Sequence, residues 1–106
     1  MRLTGRWAGT RTPKQKGKTP ECAMELTLIE TPGGALLGSY VEGHVTSASD
    51  YTSPTRAVRG TRKADAIELH CFAVRLEGEV DGDQMWGSFN SPDETRGTWL
   101  LTRVAA

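Results

Sequence analysis

Apolar and polar side chains alternate in short runs along almost the whole chain. From Cys22 to Leu28, for example, apolar residues occupy the even positions, with Glu25 and Thr27 between them. A period of two predicts half-buried β-strands, and residues 31–34 and 81–83 are typical of hairpin turns. No run has the period of a helix. We therefore predict an all-β domain of about eight short antiparallel strands over residues 1–106.

The two ends of the chain indicate how these strands are arranged. A first strand at Leu3–Thr12 carries Gly5 and Trp7, and a last strand at Gly97–Val104 carries Arg103. If the strands close into an up-and-down barrel, the first and last become antiparallel neighbours, and Trp7 meets Arg103. A guanidinium on an indole face would then plug one end of the barrel.

The strands in between are predicted with unequal clarity. The third, Ala35–Glu42, has apolar residues in both phases, and the fourth, Thr55–Gly60, is short and weakly patterned; the alternation becomes clear again only after residues 61–65. At Phe72 the alternation changes phase without a turn residue, which indicates a bulge or a very tight corner. The longest unpatterned connection, residues 43–54, is a candidate lid over a barrel mouth.

The charges balance over the chain but not between its halves. Ten Lys and Arg face five Asp and Glu up to Lys63, and three face eight from Ala64 onward. We interpret this asymmetry as complementarity within the barrel or between subunits, and since the domain is not basic overall we predict no nucleic-acid partner. No apolar run is long enough for a membrane helix, and no signal peptide is apparent, which predicts a cytoplasmic protein without a membrane partner.

Few residues are suited to metal binding or catalysis. Cys22 and Cys71 lie in different predicted strands, so they are either small core residues or, alternatively, a disulfide. His44 falls on a predicted loop and His70 on the outward side of its strand, and no phosphate-binding glycine loop is present. We therefore predict no metal, no cofactor and no catalytic residue, and we favour a protein that is not an enzyme.

Two functions of different classes remain. The first is binding of a small hydrophobic or amphipathic ligand in the barrel mouth, lined by Met24, Tyr40, Phe89 and Trp99; the same residues could instead simply fill the core. The alternative is a protein-interaction or oligomerisation module without a ligand, whose interface would use apolar residues predicted to point outward. These are Leu37, Val41, Trp86, Leu100 and Val104.

The two end segments resemble a known group of barrels. Gly5-Arg6-Trp7 is similar to the glycine-x-tryptophan on the first strand of the calycins, which include lipocalins, fatty-acid-binding proteins and avidins. Arg103 resembles the basic residue that the last calycin strand packs on that tryptophan. The resemblance implies a compact, bacterial calycin-type barrel, a fold that does not by itself define a function.

Among calycins, the avidins share further segments with this chain. Residues 34–40 and 99–102 look similar to avidin strands, and Tyr40 falls where avidins have a tyrosine that contacts biotin. Gly9, however, stands where an asparagine is expected, and Glu42 stands in place of a serine or threonine. These departures argue against biotin as the ligand.

Overall fold

The computed structural model describes residues 2–14, 21–44, 54–71, 73–92 and 96–105, except for the side chain of His44. All regular secondary structure in these ranges is β-strand. The strands are β1 (Gly5–Pro13), β2 (Cys22–Glu30), β3 (Ala35–His44), β4 (Arg56–Lys63), β5 (Ala66–Cys71), β6 (Val74–Asp81), β7 (Gln84–Asn90) and β8 (Arg96–Ala105).

The eight strands form a closed antiparallel up-and-down barrel, which confirms the predicted fold class. Each strand pairs with the next, and β8 returns to pair with β1. On β2 every second residue is buried from Cys22 to Leu28, so the alternation in the sequence separates the interior from the exterior. One continuous core of apolar side chains fills the interior.

The start of β1 and the end of β4 differ from the sequence-based expectation. β1 begins at Gly5, so Leu3 precedes the strand, and β4 continues to Lys63, so only Ala64 and Asp65 form the turn. Thr61 and Lys63 are exposed on the outside of the barrel, where polar residues are compatible with a strand, whereas Arg62 is largely covered and pairs with Glu30. At the phase change, β5 ends at Cys71 and β6 begins at Val74, its direct partner, so the feature is a tight corner; Phe72 itself lies outside the described residues.

Glycines allow the strands to approach closely where the barrel coils. Gly78 pairs directly with Gly87 across β6 and β7. A Cβ on Gly87 would lie 1.8 Å from the carbonyl oxygen of Glu77, and one on Gly78 would lie 1.8 Å from that of Trp86. Since both obstacles are backbone atoms, only glycine fits at this crossing.

One end of the barrel is closed by the segment before β1, and we call it the plugged end. Leu3 is fully buried there, and its carbonyl accepts a hydrogen bond of 2.9 Å from the Trp7 Nε1–H. The Arg103 guanidinium lies 4.5 Å from the Trp7 ring centroid and donates to the carbonyls of Thr4 (2.7 Å) and Arg2 (2.8 Å). The structure thus brings Trp7 and Arg103 together and uses both to hold the incoming chain.

Gly5 and Glu30 complete the plugged end. Gly5 has a φ of 145°, a backbone conformation that side chains rarely allow, where the chain enters β1. The Glu30 carboxylate accepts hydrogen bonds from the Leu3 N–H (2.8 Å) and from Arg62 (3.0 Å). Partial burial raises the pKa of Glu30, but these donors and the Arg62 charge outweigh it, so its pKa is lowered overall.

The turns at the plugged end are short, and one of them is strained. Lys63 pairs with Ala66, so Ala64 and Asp65 form a two-residue hairpin turn between β4 and β5. Ala64 has a φ of 55°, in the left-handed region that costs a residue with a Cβ about 1–2 kcal/mol. The longer connections are all at the opposite end, which we call the loop end.

Candidate functional site

A buried cation lies inside the barrel toward the loop end. Arg11 continues the inward series of Trp7 and Gly9 on β1, and it is the one charged residue among the described residues that is classed as buried. The sequence analysis did not select it, because charged residues on barrel strands normally face water. Its position in the sequence nevertheless indicated an inward side chain, because Arg11 lies on the same odd-numbered side of the strand as Trp7.

Arg11 is held by groups from three other strands. Its Nη2 donates to the Glu42 carboxylate at 2.7 Å and contacts the Cys22 sulfur at 3.6 Å. The guanidinium carbon lies 4.9 Å from the centroid of the Phe89 ring, within range of a cation–π interaction. The Arg11 side chain is 9% exposed and that of Glu42 is 24% exposed, so the pair is largely desolvated.

One donor of this buried guanidinium has no acceptor. Arg11 Nε is inaccessible to solvent and makes no hydrogen bond in the part of the chain that the structure describes. An unsatisfied buried donor costs about 1–3 kcal/mol of stability. The packing around Arg11 therefore satisfies its charge but not its full hydrogen-bonding capacity.

The neighbouring titratable groups are held in their neutral forms. Burial, together with the charge of Glu42 and a hydrogen bond to it, raises the pKa of Tyr40 well above its ordinary value. Burial raises the pKa of Cys71 to about 12, although the Arg11 charge opposes the rise, and burial likewise raises the pKa of Cys22. With Arg11 and Glu42 compensating each other, this cluster carries no net charge near neutral pH.

The four residues predicted to line a ligand site all lie in the buried interior, and each pairs with Arg11 or Glu42 or contacts one of them, Tyr40 through its hydrogen bond with Glu42. Met24 pairs with Glu42, Trp99 pairs with Arg11, and Phe89 lies against the guanidinium. Each of the four has a relative exposure of 3% or less. The Trp99 Nε1–H is satisfied by the backbone carbonyls of Ser88 (2.9 Å) and Glu77 (3.2 Å), so this indole is fixed in place.

The predicted outward residues fall into two groups. Trp86 on β7 pairs directly with Leu100 on β8, and these two are 39% and 45% exposed. Leu37 on β3 is separated from them by β1 and β2, and it pairs instead with Ile29; both are exposed. Val41, farther along β3, is only partly exposed, and Val104 is exposed on β8.

The histidines and cysteines considered in the sequence analysis form no metal site or disulfide among the described residues. His70 is exposed and contacts Glu68 at 3.0 Å, and no group of three His, Cys, Asp or Glu in the described ranges is placed to hold a metal ion. Cys22 and Cys71 are both buried and are not joined by a disulfide. The suggested lid lies mostly outside the described residues, since its positions 45–53 are not among them. No helix in the described ranges is long and apolar enough to cross a membrane.

Comparisons of the chain with protein-family models, with curated proteins and with solved structures find no match. The function is therefore inferred from the group of residues around Arg11, which we call the interior cluster. It consists of Arg11, Glu42, Cys22, Tyr40, Met24, Phe89 and Trp99. Its groups can bind: the arginine can donate, the carboxylate can accept, and aromatic rings and a thioether surround them. The raised pKa values of Tyr40, Cys22 and Cys71 keep the phenol and the thiols in their protonated forms near neutral pH.

Proposed function

We propose that the barrel binds a small amphipathic molecule at its loop end, with the polar group of the ligand on Arg11 and its apolar part against Met24, Phe89 and Trp99. Tyr40 would lie beside the ligand through its hydrogen bond with Glu42. On this proposal the protein is a non-enzymatic binding barrel of the calycin type. The Gly5-x-Trp7 segment and the contact of Arg103 with the indole favour that type of barrel.

The observation that carries the proposal is the buried Arg11 Nε without an acceptor. Small-molecule sites are mostly apolar, with a few convergent polar groups. An acceptor on a ligand would supply the hydrogen bond that the described residues do not make to Arg11 Nε, which is worth about 1.5–3 kcal/mol for a charged donor. Because the cluster carries no net charge, a neutral acceptor such as a carbonyl group preserves its charge balance.

A neutral fluorophore with a single carbonyl tests this proposal. 6-Propionyl-2-dimethylaminonaphthalene should bind saturably, with the blue-shifted emission of an apolar site. Arg11→Met removes the donor but keeps an unbranched side chain, and it should weaken binding at least about tenfold, in line with the strength of a charged hydrogen bond. Arg59→Met is the matched control, because Arg59 is exposed on the outside of β4.

The control should leave the affinity unchanged within about twofold. Circular dichroism of both variants verifies that they are folded before binding is compared. The proposal fails if the fluorophore shows no saturable shift, or if Arg11→Met and Arg59→Met bind it equally well.

A second candidate function is self-association through the outside of β7 and β8. The pair of Trp86 and Leu100 is exposed; Thr10, the next residue across the ladder on β1, carries no charge, whereas Glu79 on β6 lies on the other side of Trp86. Exposed tryptophan is a frequent anchor of protein interfaces. Trp86→Ser should convert an oligomer into a monomer in sedimentation analysis, whereas an unchanged mass would exclude this residue as an anchor.

A further inference from the structure

A groove lies on the outer surface near the loop end, and Phe89, whose ring contacts Arg11 in the interior, forms part of its wall together with Pro13 and Gly97. It has a volume of about 570 Å³ and is formed where β1 ends, β7 ends and β8 begins. Six polar side chains line it: Thr12, Lys14, Ser88, Asn90, Arg96 and Thr98. They include two cations, three hydroxyl groups and an amide, and no carboxylate from the described residues lines the groove.

The two cations of the groove are direct neighbours across the β1–β8 ladder. Pro13 pairs with Gly97, and the Lys14 N–H donates to the Arg96 carbonyl at 2.7 Å. Like charges that face each other across a sheet destabilise it. In the described part of the chain, neither Lys14 nor Arg96 forms an ion pair that would compensate for this repulsion.

The opposite side of the barrel shows how the chain compensates a comparable pair. Glu68 faces Glu77 across β5 and β6. There Arg75 bridges the two carboxylates, with its Nε 2.9 Å from Glu68 and its Nη2 2.7 Å from Glu77. At the groove the corresponding bridging group, an anion, is not supplied by the described residues.

We propose that this groove binds a small molecule carrying a phosphate monoester, with the dianionic phosphate between Lys14 and Arg96. The two positive charges match the charge of the phosphate, and its oxygens can accept several hydrogen bonds. The hydroxyl groups of Thr12, Ser88 and Thr98 suit a hydroxylated ligand body, since they both donate and accept. The groove volume is that of a small-molecule site.

A phosphate polymer is a poorer match than a small molecule. The chain has 13 basic and 13 acidic residues, so no net positive charge would attract a nucleic acid. The groove is also confined to three strand ends. A single phosphate on a small body uses its two cations without requiring a longer basic track.

Amide chemical shifts in ¹H–¹⁵N NMR spectra provide the test, with inorganic phosphate and glycerol 3-phosphate as probes at constant ionic strength. Both should shift amides of residues 12–14, 88–90 and 96–98 saturably. Lys14→Gln and Arg96→Gln should each weaken binding about fivefold, as expected for loss of an exposed charge pair. The matched control Arg59→Gln should retain the wild-type affinity.

Protonation of the ligand gives an independent arm. Since the second pKa of a phosphate monoester is about 6, affinity should fall from about pH 8 to about pH 5. Unsaturable shifts, shifts elsewhere on the barrel, or equal weakening by Arg59→Gln would overturn the proposal. Vesicles containing phosphatidic acid distinguish the source of the phosphate: binding to them but not to glycerol 3-phosphate would overturn the assignment to a small molecule.

Discussion

If Arg11 and Glu42 form a binding site, their ion pair should contribute strong coupling but little net stability. We test this with the single variants Arg11→Met and Glu42→Gln and with the double variant. Glu42→Gln leaves a buried guanidinium without its counter-charge. Arg11→Met leaves a carboxylate that is 24% exposed, and it also removes the unsatisfied Nε.

The magnitudes follow from these environments. Loss of one partner from a buried pair costs about 3–5 kcal/mol, and we expect the lower limit for Glu42→Gln because the carboxylate is partly hydrated. Arg11→Met should cost about 1–2 kcal/mol, since relief of the unsatisfied donor returns part of the loss. The double variant has neither an unpaired charge nor an unsatisfied guanidinium, so it should lie within about 1 kcal/mol of the wild type. The two single losses together then exceed the loss in the double variant by about 4–5 kcal/mol, which is the coupling energy.

Urea unfolding monitored by tryptophan fluorescence measures all four free energies, provided that the transitions are two-state. The control cycle uses Arg6 and Glu25, an outer ion pair of 3.3 Å whose side chains are 55% and 57% exposed. Arg6→Met and Glu25→Gln should show a coupling below about 1 kcal/mol. A coupling between Arg11 and Glu42 no larger than this control would refute the reasoning, as would a double variant less stable than both single variants.

Three further changes test other parts of the fold. Gly87→Ala should lower the free energy of unfolding by more than about 3 kcal/mol, because the added Cβ would collide with backbone atoms. Gly33→Ala is the control: no atom lies within 4 Å of its added Cβ, so the free energy of unfolding should change by less than about 0.5 kcal/mol. Similar urea midpoints for the two variants would contradict the close strand crossing. Ala64→Gly should raise the free energy of unfolding by about 0.5–1 kcal/mol, because removal of the left-handed strain outweighs the greater backbone entropy that glycine gives the unfolded chain. A lower urea midpoint would argue against that strain. Because the pKa of Glu30 is lowered by folding, its ionised carboxylate stabilises the folded state above the ordinary value of 4.5, and this stabilisation is lost as the pH falls through the lower folded pKa. The stability of Glu30→Gln should therefore decline less steeply with acid than that of the wild type. Parallel acid-unfolding curves would exclude this contribution of Glu30.

The sequence was sufficient to predict the barrel because its interior and exterior alternate along each strand. The same rule misplaced the end of β4. The predicted fourth strand ended at Gly60, whereas β4 continues to Lys63. Thr61 and Lys63 are polar, which is normal on the solvent side of a barrel strand. The phase change at residue 72 was recognised, and the structure selects the tight corner over the bulge.

Only part of the interior cluster could be predicted from the alternation of the strands. The alternation of β1 places Arg11 on the inward side, but a charged residue is expected on the outside of a barrel. Its partner Glu42 is 31 residues away and on a strand that does not pair with β1. Contacts across a barrel depend on strand stagger, which alternation in a single strand does not reveal. Met24, Tyr40, Phe89 and Trp99 are buried in the interior, and their role in binding a ligand stays a prediction.

The central claim is that the barrel holds a small amphipathic molecule against Arg11. Native mass spectrometry of the protein purified from its own host tests it most directly, with Arg11→Met purified in parallel. The account predicts a small-molecule adduct on the wild-type protein and a lower occupancy on Arg11→Met. Wild-type protein without an adduct, or the same occupancy on both proteins, would contradict it.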